Sequence, residues 1–146
     1  MSLVHYRTGL PPCLTTNASN TTIGAVLEQF NQGRWSPLEF FFHKLTDSAS
    51  RYATFNRELL ACFSPIEKFC HLLHGVHFSL QLDHKPVVQA LTKKSEFLNG
   101  HQAWKLDYIM EFDVQPFYLA SQDNTVANAL SWAPVSLLPS PAINTP

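Results

Sequence analysis

The sequence predicts an α/β protein built on a mixed five-stranded sheet flanked by helices. Before Arg51 the apolar side chains follow the two-residue period of strands, and from Arg51 to Leu73 they follow the helical period of about 3.6 residues. The predicted order of elements is β-β-β-α-β-α-α-β-α. Three consecutive strands fit an antiparallel meander, whereas the later strands follow helical crossovers, which parallel neighbours require. The sheet is therefore expected to have helices on both faces.

The first three predicted strands cover residues 13–19, 22–30 and 34–44. The first two form a tight hairpin, since Thr and Val favour extended backbone and Asn20 favours a turn. The third strand is rich in aromatic residues and follows a turn at 31–33. Thr46 then provides a helix start.

The main helical segment ends at Gly75 and contains Pro65, for which two interpretations stay open. Ser64 and Glu67 could form a capping box around the proline and start a second helix. A single kinked helix fits the same residues equally well. The remaining elements are a strand over 76–82, helices over 86–91 and 101–112, a strand over 113–120 and a last helix over 125–132.

Composition limits the domain count and the class of partner. A chain of 146 residues with 45% hydrophobic content can form one domain with a substantial core, which we place at 13–132. Residues 1–12 are expected to be an irregular lead-in, and residues 133–146 a proline-rich disordered tail. The formal net charge of −1 excludes a protein-wide positive field, although a local basic strip remains compatible with it.

The cysteines and the apolar runs indicate the compartment. Three cysteines are an odd and sparse set, which fits free thiols in a reducing compartment. No apolar run reaches the roughly 18 residues of a membrane-spanning helix. We therefore expect a soluble, intracellular protein, cytoplasmic or nuclear, with no membrane partner.

Four polar residues could converge in the predicted sheet: Asn17, Glu58, Asp83 and Asn128. Asn17 lies in the first strand, and Asp83 ends the fourth strand, which would be its parallel neighbour. Glu58 lies early in the main helix, and Asn128 in the last one. Carboxylates gathered in this way hold Mg²⁺, and two such ions about 4 Å apart activate water and stabilise the leaving oxygen of a phosphodiester. Taken singly, each residue is more often a solvated or capping side chain.

Several motifs occur in order and at matching spacings: LTTNASNTTIGAVLEQ, RYATFNRELLACF, HFSLQLDHKPVVQAL, EFDV and DNTVANALS. Together they resemble the ribonuclease H domain of gypsy-type LTR retrotransposon reverse transcriptases, from Leu3 to about Trp132. The resemblance implies the ribonuclease H-like fold, with strand order 3-2-1-4-5. It also implies Mg²⁺-dependent cleavage of RNA in an RNA–DNA hybrid, with Mn²⁺ as the alternative ion. A polymerase domain precedes such domains, and this chain is expected to begin near that junction.

The resemblance also identifies what this chain lacks. Glu58 matches the family's RELLA glutamate and Asp83 its TDHKP aspartate, but Asn17 and Asn128 stand where the family has aspartates. An amide oxygen carries no charge, so the site falls from about four negative charges to two. Loss of one such ligand costs several kcal/mol of transition-state stabilisation, hence orders of magnitude in rate. We therefore expect an inactive or strongly impaired enzyme.

Other departures from the family pattern are Asn56, His43, Tyr118, Ser121 and Trp132. Tyr118 and Ser121 replace the family's His and Gly in the fifth strand and the loop after it. Like the two Asp→Asn changes, most of these substitutions can arise from a single C→T or G→A change in a codon. Such a cluster is typical of a transposon copy that accumulates mutations in a genome. Deliberate inactivation is the rival explanation, but it accounts only for Asn17 and Asn128.

Contacts to a hybrid are expected from seven further residues. Side-chain bonds to phosphate or 2′-hydroxyl groups are expected from Thr16, Ser19 and Asn20, and backbone contacts from Lys85, Lys93, Lys94 and Lys105. A solvated loop explains Lys93 and Lys94 equally well. Trp104 and Tyr108 fit core packing better than base stacking. No zinc-ligand spacing occurs among the histidines and cysteines.

Three functions remain open from the sequence. The leading one is a ribonuclease H-like domain of retroelement origin that has lost catalysis. The second keeps weak Mg²⁺- or Mn²⁺-dependent hydrolysis through Glu58 and Asp83. The third is a domesticated module that binds nucleic acid or a host protein without catalysis.

Overall fold

The structure is a computed structural model and describes residues 9–93 and 100–120. Its strands are β1 (Pro12–Ala18), β2 (Thr22–Asn31), β3 (Arg34–Lys44), β4 (Phe78–Leu82) and β5 (Val114–Tyr118). They form a five-stranded sheet in the order β3-β2-β1-β4-β5. The predicted fold class and strand order are confirmed.

The first strand of the chain lies at the centre of the sheet. β1 pairs antiparallel with β2, with Thr15 opposite Val26, and parallel with β4, with Leu14 opposite Leu80. β3 continues the antiparallel side, and β5 pairs parallel with β4. The sheet therefore joins an antiparallel meander to a parallel half, as the sequence predicts.

Two turns hold the meander in register. The Ser19 amide donates to the Thr22 carbonyl at 2.8 Å, and the Ser19 hydroxyl accepts from the Thr22 amide at 3.1 Å. Gln32 and Gly33, between β2 and β3, have φ angles of 54° and 80°. This left-handed pair suits the short reversal predicted there.

The described helices are α1 (Asp47–Ser50), α2 (Thr54–Lys68), α3 (Cys70–Leu73), α4 (Lys85–Thr92) and α5 (Gly100–Met110). Thr46 caps α1, since its hydroxyl accepts from the Ala49 amide at 3.0 Å, which confirms the predicted helix start. Gly75, at φ 73°, lies two residues beyond the end of α3, as expected. Within the described residues, no helix is long and apolar enough to cross a bilayer.

Pro65 lies inside α2, so the single-helix interpretation is confirmed and its alternative, a capping-box restart at Ser64, is wrong. The helix continues past the proline, and the Phe69 amide still donates to the Pro65 carbonyl at 2.8 Å. The break comes at Phe69, between α2 and α3. Pro65 is itself buried, and Ile66 and Phe69 are buried beside it, so tertiary packing outweighs the intrinsic cost of the proline.

One hydrophobic core joins a face of the sheet to the helices. It includes Leu14 and Leu80 from the central strands, Leu59 and Ile66 from α2, and Leu106 from α5. The predicted last helix over 125–132 and the tail over 133–146 lie outside the described residues, and both stay predictions.

β4 and β5 are shorter than predicted. The Val76 amide donates to the Leu73 carbonyl, so Val76 belongs to the turn after α3, and β4 begins only at Phe78. β5 covers Val114–Tyr118 within the predicted 113–120.

Candidate functional site

The parallel pairing of β1 with β4 places Asn17 next to Asp83. Thr15 is paired with Gln81, 66 positions later, and the hydroxyl of Thr15 donates to the amide oxygen of Gln81 at 3.3 Å. The same offset, two residues further on, brings Asn17 beside Asp83 at the end of β4. Asn17 is buried, with 7% of its surface exposed, and Asp83 is half-buried. This is the juxtaposition that the sequence predicts.

Glu58 reaches the same place from α2. Its side chain is 8% exposed, and burial, followed by the negative charge of Asp83, raises the pKa of Glu58 to about 7, while Arg57 opposes the shift. Its Oε2 atom is buried and has no hydrogen-bond partner among the described residues. The carboxyl groups of Glu58 and Asp83 are therefore close enough to repel each other, and one oxygen of Glu58 lacks the partner that a buried acceptor normally has.

These features fit a divalent cation to a limited extent. A divalent cation prefers oxygen ligands. It would give the buried Oε2 of Glu58 the partner that this atom lacks, and its positive charge would offset the repulsion between the carboxylates of Glu58 and Asp83. However, the neighbouring Asn17 contributes no charge, and no group of three His, Cys, Asp or Glu side chains suited to a metal occurs within 9–93 and 100–120. Asn128 lies outside the described residues.

Tyr118 at the end of β5 also lies near Asp83, a neighbour that the sequence did not predict. Tyr118 pairs with Leu82, the residue before Asp83, across β5 and β4. Desolvation, followed by the negative charge of Asp83 and hydrogen bonding to it, raises the pKa of Tyr118. Lys85 places its Nζ atom 4.9 Å from the centroid of the same ring. The sequence signals Tyr118 only as a departure from the family's histidine.

His84, next to Asp83, packs into the scaffold. Its ring lies edge-on to Phe55 of α2, with centroids 6.2 Å apart, and its carbonyl accepts from the Val88 amide in α4. Its buried Nε2 atom has no hydrogen-bond partner within the described part of the chain. Burial lowers the pKa of His84, and Asp83 opposes this shift. These contacts connect α2 to α4 beside the candidate site.

The predicted hybrid contacts in the first hairpin need one correction. Thr16 is fully buried, and its Oγ1 lies 3.7 Å from Cys62 Sγ of α2, so its side chain is not available to a nucleic acid. The reason is strand alternation, which turns Thr16 towards the helices. Ser19 is also buried and holds the turn through Thr22, while Asn20 is exposed at the tip of the hairpin. A hybrid contact at Asn20 stays a prediction.

Three of the four lysines predicted to contact a hybrid lie within the described residues, each in separate surroundings. Lys85 is beside Tyr118, and Lys93 lines an open groove of about 530 Å³ at the end of α4. Lys105 lines a pocket of about 260 Å³ between α2 and α5. In that pocket the amide of Gln102 donates to Asn56 Oδ1 at 2.7 Å. Lys94 lies outside the described residues.

The two aromatic residues of α5 have different surroundings. Tyr108 packs edge-on against Phe63 and Phe112, as core packing predicts. Trp104 also contacts Phe63, at 5.2 Å between centroids, but 58% of its surface is exposed. The core interpretation of Trp104 is therefore only partly correct, because its position near the start of α5 leaves one side of the ring in solvent.

The sheet order and the site at the ends of β1 and β4 define a ribonuclease H-like domain. The chain belongs to the family described as the RNase H-like domain found in reverse transcriptase, which matches residues 8–112. This confirms the class of domain that the motifs indicate.

Relatives by sequence are retrotransposon polyproteins. The chain is 35% identical over 125 residues to the retrovirus-related Pol polyprotein from transposon opus of Drosophila melanogaster, covering 85% of this chain and 12% of that protein. It is 27% identical over 133 residues to the Tf2-3 polyprotein of Schizosaccharomyces pombe, covering 88% of this chain and 10% of that protein. The chain therefore spans only about a tenth of the length of these curated relatives.

Solved structures share the fold at low identity. A foamy viral protease-reverse transcriptase in complex with dsDNA aligns with a TM-score of 0.64 and 18% identity, over 83% of this chain and 26% of that one. LC11-RNase H1 in complex with an RNA/DNA hybrid aligns with a TM-score of 0.52 and 12% identity, over 82% and 92% of the two chains. These matches agree with the strand order described above.

Proposed function

We propose that this domain derives from a retroelement ribonuclease H whose divalent-metal-dependent cleavage of RNA in RNA–DNA hybrids is lost or strongly impaired. The observation that carries the proposal is Asn17, a buried amide in the central strand, in register with Asp83. The resemblance to intact family members calls for a carboxylate at this position. The gypsy branch of the family and the preference for Mg²⁺ over Mn²⁺ belong to the same proposal, and a domesticated binding role without catalysis is its alternative.

Glu58 and Asp83 would hold the ion, with the amide oxygen of Asn17 as a neutral ligand. A bound divalent cation would supply an activated water and stabilise the leaving oxygen of the phosphodiester. Two properties of these side chains make binding weak. Near pH 7, Glu58 is about half protonated, and a proton must leave before it can act as an anionic ligand. Replacement of one carboxylate by an amide removes an attraction of about 4 kcal/mol per unit charge at 4 Å and an effective dielectric constant of about 20.

Binding of a hybrid can outlast the loss of cleavage, because it depends on different residues. Among the described residues, Lys85, Lys93 and Lys105 form no ion pair, and each reaches a surface or pocket. Three phosphate contacts would give weak affinity that falls with salt, with a slope of about three at most in a double-logarithmic plot. A solved reverse transcriptase of the same fold is in complex with an RNA/DNA hybrid, which supports this ligand class.

The protein context is part of the proposal. The matched polyproteins are roughly ten times longer than the matched region, so we propose a polymerase domain as the covalent or physical neighbour. A host protein is the partner in the domesticated alternative. Salt-dependent hybrid affinity without cleavage favours retained hybrid binding, whereas absence of both favours a protein scaffold or a remnant.

The test is cleavage of a labelled RNA–DNA hybrid in Mg²⁺ and in Mn²⁺. The native chain is compared with the double variant Asn17→Asp plus Asn128→Asp. We expect no cleavage by the native chain and cleavage by the double variant. Glu58→Gln in the double variant should abolish that activity. Asn31→Asp serves as the control for the single change Asn17→Asp, since it adds the same one charge at the end of β2 away from Asn17.

Each other outcome has a definite meaning. Cleavage by the native chain at a rate near that of the double variant contradicts the proposed loss of activity and favours the residual enzyme. If neither chain cleaves the hybrid although both are folded, the replacement of two metal ligands does not explain the loss of cleavage. In that case the defect extends beyond Asn17 and Asn128.

A further inference from the structure

β3 lies at the edge of the sheet. It pairs antiparallel with β2, and no other described strand pairs with its second edge. Just beyond β3, the Leu45 amide donates to the Thr21 carbonyl at 2.7 Å. Because hydrogen-bonded and non-bonded residue pairs alternate along an antiparallel ladder, the amides and carbonyls of Phe40, Phe42 and Lys44 point away from β2. These backbone groups form an open edge that a further strand can join.

The two ends of this edge are protected against pairing, but the middle is not. Pro37, which lacks an amide hydrogen, borders the bulge at which the register between β2 and β3 shifts. The positive charges of Arg34 and Lys44 lie at the two ends of the strand. Between the bulge and Lys44 runs an uninterrupted aromatic stretch over 40–42. The segment over 39–43 is therefore the part of β3 that is open to a partner strand.

The helix side of this segment carries an open pocket. The ring of Phe41 packs edge-on against Phe69, with centroids 6.4 Å apart, so Phe41 faces the helices. Since side chains alternate along a strand, Glu39 and His43 lie on the same face, and both are exposed. A pocket of about 350 Å³ beside them is lined by Phe41, His43, Ser64, Glu67 and Lys68. A hydrogen-bond acceptor that arrives from a neighbouring strand therefore meets the imidazole of His43 at this pocket.

A second copy of the chain fits this edge in a register that matches the strand to itself. When a two-fold axis perpendicular to the sheet passes beside Phe41, the two β3 strands run antiparallel, and Phe40 of one copy lies opposite Phe42 of the other. The outward amides and carbonyls of these two residues then bond to each other. The same register places Glu39 opposite His43 on the pocket side, and the symmetry repeats this pair. A shift of the axis by one residue in either direction places an apolar residue opposite Glu39 instead.

We propose that two copies of this chain associate through residues 39–43 of β3, paired antiparallel in the register that sets Glu39 of each copy opposite His43 of the other. The contact continues the sheet across the two-fold axis. It is short, which places it among the small and transient interfaces, so the dimer forms reversibly and at high protein concentration. The proposal does not depend on cleavage of a hybrid or on a bound metal ion.

Sedimentation equilibrium of the full chain, from micromolar to millimolar protein, measures the dimer dissociation constant. Glu39→Lys sets a cation opposite His43, and His43→Glu sets a second carboxylate opposite Glu39. Each change should raise the constant about fivefold to tenfold, because the symmetry counts every cross-strand pair twice. The double variant Glu39→Lys plus His43→Glu exchanges the two partners and should return the constant to near the native value. Glu111→Lys is the matched control, since it makes the same charge change at an exposed position outside β3, and it should leave the constant unchanged.

Hydrogen exchange of single backbone amides tests whether β3 is the surface used. The amides of Phe41 and His43 bond to β2 and should be protected at every protein concentration. The amides of Phe40 and Phe42 point outward and should exchange rapidly in the monomer. Their protection should rise with protein concentration in the native chain and in the double variant, but not in Glu39→Lys.

The regained association of the double variant protects the test from structural damage, because two harmful changes in a misfolded chain do not restore a contact. A native chain that stays monomeric at millimolar concentration overturns the proposal. So does a double variant that associates no better than Glu39→Lys, or a control that weakens association as much. Protection of Phe40 and Phe42 in the monomer would show that another segment of the same chain covers this edge, and it also overturns the proposal.

Discussion

Replacement of Glu58 by Gln should change how the stability of the fold depends on pH. The pKa of Glu58 is raised from 4.5 to about 7 in the folded chain, chiefly by burial and then by Asp83. A raised pKa means that the folded state binds the proton more tightly than the unfolded state does. The stability that the fold gains from this tighter proton binding is fully present below about pH 4.5 and is lost as the pH rises through about 7.

The size of the effect follows from the shift. A difference of about two and a half pKa units corresponds to about 3 kcal/mol above pH 7, at 1.36 kcal/mol per unit. Gln has nearly the same shape and cannot ionise, so Glu58→Gln avoids the cost of a buried charge. The variant should therefore match the native chain near pH 4.5 and exceed its unfolding free energy by up to about 3 kcal/mol near pH 8.

Urea unfolding at a series of pH values measures the difference. Glu28→Gln is the control, because burial alone raises the pKa of Glu28 to about 7 and Asp83 does not contribute. Both variants should flatten the pH dependence, but Asp83→Asn should lower the pKa only at Glu58. If Glu58→Gln loses stability at pH 8, or keeps the native pH dependence, the electrostatic account of the site is wrong.

Two further predictions concern the scaffold. Thr46→Ala should lower the unfolding free energy by about 1 kcal/mol, since the threonine hydroxyl accepts from the Ala49 amide at the start of α1. In urea unfolding, a loss no larger than that of the neighbouring Ser48→Ala would contradict the cap. Leu80→Ala should cost about 2–5 kcal/mol, because Leu80 is fully buried in the strand between β1 and β5. A loss below about 1 kcal/mol in the same assay would show that the core around β4 is not closely packed.

Periodicity accounts for the elements of the fold and the family resemblance for their order. The three meander strands and the helical crossovers that parallel strands require follow from alternation near the start of the chain and helical spacing after it, whereas the central position of β1 in the order β3-β2-β1-β4-β5 is what the resemblance implies. Pro65 shows the limit of such reasoning, because local geometry offers a helix restart and only the packing of Ile66 and Phe69 keeps α2 continuous. Val76 shows the same limit at the start of a strand, because its amide donates to the Leu73 carbonyl in a turn and not to a neighbouring strand.

The site was predictable as far as it depends on register. The parallel pairing of β1 with β4, in the register that sets Thr15 opposite Gln81, brings Asn17 beside Asp83 when the same offset is continued by two residues. The opposite orientation of Thr16 follows from the same alternation and could have been anticipated. The position of Tyr118 near Asp83 could not be predicted, because it depends on the exact register between β5 and β4. No local sequence pattern specifies that register. The raised pKa of Glu58 likewise depends on burial that only the assembled fold provides.

The central place of the first strand has a consequence for the time course of folding. β2 follows β1 after a turn of a few residues, but the other neighbour of β1, β4, lies 66 positions further along the chain. Hairpins form in about 1–10 μs, whereas distant pairings wait for a longer loop to close. The meander can therefore form first, with the other edge of β1 unpaired until β4 pairs with it later. Substitutions around Asp83 should then act mainly on the rate of unfolding, and those in the first hairpin on the rate of folding.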